Sequence, residues 1–150
     1  MSGMVSYDLF TNRIGIGSNG FTLEGGTYET FINNTGTSIR GTIVVASTTI
    51  NNAVDIAPVS SNMPIGVIYE DGIANGSPVK VVVYGKAQVL LKDGEVANNG
   101  YWCGVSDVAG RMYQLSTAPI TTEYNQEIGH SLEANNSGTN VLSLIQIHFN

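Results

Sequence analysis

Short runs of β-branched and apolar residues recur along this chain, and none is extended by the i, i+3, i+4 apolar repeat of an amphipathic helix longer than two turns. The runs are TIVVAS (42–47), IGVIYE (65–70), VKVVVYG (79–85), AQVLL (87–91), YWCGVS (101–106), RMYQLS (111–116) and VLSLIQIHF (141–149). Asn-Gly, Asp-Gly, Asn-Asn and Ser-Gly pairs separate them, and these residues supply the positive φ that tight turns need. Strands at this spacing predict an all-β protein, a small β-barrel or sandwich. The terminal run carries apolar groups on both faces, so it is expected to be largely buried.

The pattern also echoes itself. Ile65-Gly66-x-x-x-Glu70, Gly76, Val79 and an apolar strand are matched by Ile128-Gly129-x-x-x-Glu133, Gly138, Val141 and an apolar strand, one residue shorter between Glu and the later Gly. Gly41-TIVVAS and Gly100-YWCGVS occupy matching places, each followed by an Ala-Pro pair, at 57–58 and 118–119. An Ile-Gly step inside a strand predicts a bulge or a close backbone approach. A weak internal duplication over residues 36–150 follows, two half-units closing on one core. Residues 1–35 read differently: Gly- and Asn-rich, yet holding Tyr7, Phe10, Phe21, Tyr28 and Phe31. Aromatic rings give large contact area at little rotamer cost. This segment is therefore expected either as an N-terminal arm hinged at GIGSNG (15–20) and Gly25-Gly26, or as an extra hairpin on the same core.

Composition narrows function by exclusion. Only 12% of the 150 residues are charged, the net charge is −6, and the six basic residues are scattered, which disfavours nucleic acid as a partner. No apolar stretch approaches the length of a membrane span, and MSGMVSYDLF lacks the basic and apolar regions of a secretory signal. The sequons at Asn33, Asn75 and Asn135 carry no weight without one.

Motifs with chemical meaning do not survive their context. GIGSNG (15–20) fits the G-x-G-x-x-G spacing, but FTLEGGTYETF follows it, where a phosphate site needs a helix N-terminus. Cys103 lies within an apolar run and reads as a small buried hydrophobe. Glu70-Asp71 and Asp93-x-Glu95 sit beside turn glycines and read as solvated carboxylates. His130 and His148 lie on expected strands and need no metal, and their spacing does not suggest a partner base for Cys103. No catalytic residue, cofactor or metal is therefore expected.

Residues 36–150 resemble the head-decoration, or capsid-cement, proteins of tailed bacteriophages. The resemblance rests on GTIVVAS followed by a polar spacer and PIGVIYEDG, then VKVVVYGKAQVLL, the turn DGEVANNG leading to YWCGVS, and IGHSLEA before a terminal strand. It implies a non-enzymatic virion protein made in the host cytoplasm and seated on the capsid surface, as a cement or head-fibre-base protein. It also implies the major capsid protein as partner and a homo-oligomer, most often a trimer. The 35 residues before the motif block depart from the family pattern. Tyr7, Phe10, Phe21, Tyr28, Phe31 and Trp102 are the expected capsid or subunit contacts. The alternative is a receptor- or carbohydrate-binding appendage tip with Trp102 beside Tyr101 as a stacking platform; an enzyme is the weaker rival.

Overall fold

The computed structural model describes residues 7–8, 13–14, 19–115 and 120–149, with side chains from residue 19 onward except that of Thr122. Its strands are β1 (Tyr7–Asp8), β2 (Arg13–Ile14), β3 (Asn19–Phe21), β4 (Thr27–Asn33), β5 (Ile43–Ala46), β6 (Ala53–Ile56), β7 (Pro64–Ile68), β8 (Pro78–Leu90), β9 (Trp102–Val105), β10 (Met112–Gln114), β11 (Glu127–Ser131) and β12 (Leu142–Ile147). Helix among the described residues is one turn, α1 (Thr121–Tyr124). The protein is all-β, as its turn-punctuated strand pattern predicts. β1 and β2 pair only with each other.

Five strands close a barrel. β5 pairs antiparallel with β6 and β7, β7 with β8, β8 with β4, and a parallel β4–β6 pairing completes the ring. Closure removes the edges that an open sheet would expose. Val44, Val54, Ile68, Val79 and Val81 fill the interior, with Phe31, Ile65 and Ile73 packed against them. β3 extends the structure outside the ring by pairing with β4.

The second half repeats this arrangement. β9 pairs with β10 and β11, β11 with β12, and β12 with the later half of β8. A single parallel bridge, Leu91 to Met112, stands where the β4–β6 pairing stands in the first unit. Register gives the equivalences: Val44 opposes Gly66 as Cys103 opposes Gly129, and Val67 opposes Val82 as His130 opposes Gln146. Glu70 and Glu133 occupy the same place and do the same work. The Glu70 carboxylate accepts the backbone N–H of Lys80 at 3.0 Å, and that of Glu133 accepts Leu144 N–H at 2.9 Å. The duplication is therefore physical: each carboxylate clamps the loop after the Ile-Gly strand onto the long strand that follows.

Several expectations change in detail. The runs at 79–85 and 87–91 are one strand, β8, whose early half ends the first unit and whose later half begins the second. By the same equivalence β4 begins the first unit, so the core expected from residue 36 takes in residues 27–33 as a barrel stave. Tyr28, expected as a contact residue, is buried, and half-buried Phe31 packs on the barrel interior. Gly25-Gly26 is not a hinge but the turn of the β3–β4 hairpin: Thr22 and Gly26 bond through the backbone at 2.8 Å. Of GIGSNG, residues 15–18 lie outside the described residues, and Asn19-Gly20 run into strand β3 rather than a helix. Gly76 matches Asn140, not Gly138; both take positive φ, 89° and 53°, ahead of the long strand.

Candidate functional site

Three chemistry-bearing side chains converge on the second unit. On a regular strand Glu127 and His130, three apart, would point to opposite faces. A bulge intervenes in β11: Glu127 opposes Gly104, and Gly129, not Ile128, opposes Cys103. The extra residue resets the alternation and brings both side chains to one face. Gly129 is required there, since its φ is +146° and a Cβ would strike the Gln146 carbonyl oxygen. The close approach of β12 that this permits places His148, just past the strand end, two residues beyond Gln146, the partner of His130. His148 N–H is held by the Ile128 carbonyl at 2.9 Å.

The resulting geometry is compact. Glu127 is 1% exposed, and its Oε2 lies 3.3 Å from Nε2 of His130 and 3.3 Å from Nε2 of His148. The two half-exposed imidazoles stand 5.3 Å apart by ring centroids. Trp102, paired with His130 across β9–β11, meets it edge-on at 4.9 Å and has Tyr124 of α1 at 6.1 Å on another side. Burying a carboxylate costs several kcal/mol unless charge or hydrogen bonding compensates it. The two imidazole nitrogens are the basic groups that stand 3.3 Å from Glu127 Oε2, and with it they present donor atoms suited to a borderline-soft cation.

The duplicated unit shows that the fold does not demand this cluster. At the positions of Glu127, His130 and His148 the first unit carries Pro64, Val67 and Tyr84. Ile43, Val45, Val67 and Val82 on the outer face of that unit are buried with the core of the second. The equivalent face of the second unit holds Trp102, Gly104, His130 and Gln146, covered in part by Leu115 and Gln126 over Gly104. Sequence reasoning set the two histidines apart because nothing in their spacing reveals the bulge. The one available signal was the Ile-Gly step beside His130.

The other expected contact residues are dispersed. Trp102 is half-buried at this cluster, whereas Phe21 lies on the β3–β4 hairpin. Tyr7 falls in β1, whose side chains lie outside the described residues, as does Phe10. Phe21 opposes Thr27, and Thr27 opposes Tyr84, so Phe21 and Tyr84 flank Thr27 on one sheet face. Both are about two-thirds exposed, and Leu23 in the hairpin turn is 95% exposed. The turn is seated beside Tyr84, because a Cβ on Gly85 would meet Gly25 O at 2.9 Å and Gly26 Cα at 3.0 Å. Cys103 is buried, and desolvation pushes its thiol up to about 12, so it is no nucleophile at neutral pH.

No family model and no curated protein matches this chain.

Proposed function

We propose that this chain is a structural virion protein that sits on the outside of a tailed-phage capsid as a decoration, cement or head-fibre-base protein. In this reading it acts as a homo-oligomer, a trimer by preference, on the major capsid protein, and performs no catalysis. The observation that carries the proposal is a set of exposed apolar side chains on a closed β body: Phe21 and Tyr84 on one sheet face either side of Thr27, and Leu23 in the turn that joins β3 to β4. Burying each of these side chains against a partner is worth about 1.5–3 kcal/mol before ordering costs. Abundant Asn, Ser and Thr beside only 12% charged residues suit a surface that pairs by shape and hydrogen bonds. The resemblance to capsid-cement proteins supplies the partner.

The test is cosedimentation of the full chain with heads of the encoding phage that lack it. Saturable binding by the wild type, lost in the Phe21→Ser/Leu23→Ser/Tyr84→Ser variant with its β circular dichroism intact, supports the proposal. Wild-type chain left in the supernatant overturns it, and binding to immobilised glycans instead would favour the appendage tip.

A further inference from the structure

We propose that Glu127, His130 and His148 form a zinc site that fastens the end of β12 to β11. Two imidazole nitrogens and one carboxylate oxygen are a donor set that zinc takes readily. At zinc bond lengths of about 2.0–2.1 Å, two ligand atoms of a tetrahedron lie about 3.3 Å apart. Both His Nε2 atoms stand 3.3 Å from Glu127 Oε2, and all three donor atoms lie within 4.8 Å of one another. The carboxylate is buried while the imidazoles are half-exposed, so a fourth position opens toward solvent. Trp102 packs edge-on against His130 and limits its ring rotation. The first unit completes the same strand arrangement with Pro64, Val67 and Tyr84, so packing alone does not call for a buried Glu between two histidines. In the zinc-bound form the metal spans residues from β11 and from beyond β12, cross-linking the two strand ends.

Isothermal titration of the untagged, metal-stripped full chain with zinc chloride tests the site. One equivalent is expected to bind saturably, with a rise in thermal midpoint that a chelator reverses. Glu127→Gln, nearly isosteric, and His148→Gln, at the half-exposed strand end, are each expected to abolish both effects while circular dichroism stays unchanged. Co²⁺ in place of zinc is expected to give the intense visible absorption of a four-coordinate ion, lost in the same variants. Absence of a saturable equivalent in the wild type overturns the proposal. So does zinc binding that persists undiminished in His130→Gln/His148→Gln, or a Co²⁺ spectrum that those substitutions leave unaltered.

Discussion

Asn33 gives the sharpest test of how the first barrel is closed. Its side chain is fully buried at the end of β4, in the place that Leu91 holds in the second unit. Nδ2 donates to the carbonyls of Gly36 and Ile73 at 2.7 and 2.9 Å, and Oδ1 accepts from the Thr35 N–H and hydroxyl at 2.9 and 2.6 Å. One amide thus ties the β4 stave to the loop that leads into β8. Asn33→Ala removes these four hydrogen bonds and a longer fifth, from Nδ2 to the Ala74 carbonyl at 3.4 Å, each of the four worth about 0.5–1.5 kcal/mol net, and orphans the carbonyls it served. Water can recover those nearest the surface, so the expected loss is about 3 kcal/mol, a large share of the 5–15 kcal/mol typical of a domain. With a urea slope of about 2 kcal/mol per molar, the unfolding midpoint should fall by about 1.5 M. Asn33→Leu, which copies the second unit, should recover part of the loss through apolar burial without pairing the carbonyls. Urea unfolding followed by circular dichroism measures all three chains. A midpoint shift for Asn33→Ala below about 0.3 M would refute the view that this amide locks the ring.

Gly129→Ala should cost more than about 2 kcal/mol, because it forces a left-handed φ on a side chain that collides with the Gln146 carbonyl; an unchanged urea midpoint contradicts the bulge geometry. For Cys103 the folded value of about 12 lies above the ordinary 9.0, so burial of the neutral thiol contributes stability below pH 9 that drains away as pH rises toward 12. The wild type should therefore lose up to about 1.4 kcal/mol per pH unit more than Cys103→Ala across that window, a difference that equilibrium unfolding at several pH values detects. The same burial predicts that a thiol reagent at pH 8 labels Cys103 only in denaturant, and prompt labelling of the native chain would count against it.

The strands were legible wherever β-branched residues run together between turn pairs, as at 42–47 and 65–70. The duplication was legible too, because Ile-Gly and the clamping Glu each perform a task that few residues can. β6 was missed because AVDI is four residues long and abuts Asn-Asn and Ala-Pro, turn signals that swamp it. β4 was set apart because TYETFIN follows Gly-Gly and owes its place in the barrel to pairing with residues 53–54 and 78–84, not to its own pattern. The Glu127–His130–His148 cluster was illegible for a different reason. Strand periodicity puts Glu127 and His130 on opposite faces, and only the bulge at Gly129, fixed by the approach of β12, reverses that. Long-range pairing decided the outcome where local pattern pointed elsewhere.

Cryo-electron microscopy of purified particles of the proposed source phage tests the proposed capsid role most directly, since it reads location, symmetry and partner together. β-Barrel density is expected on the outer capsid surface at a local symmetry axis, with Phe21, Leu23 and Tyr84 buried against the shell or a neighbouring copy. Complete particles with a bare shell, or with this chain located only at a fibre tip, would contradict it.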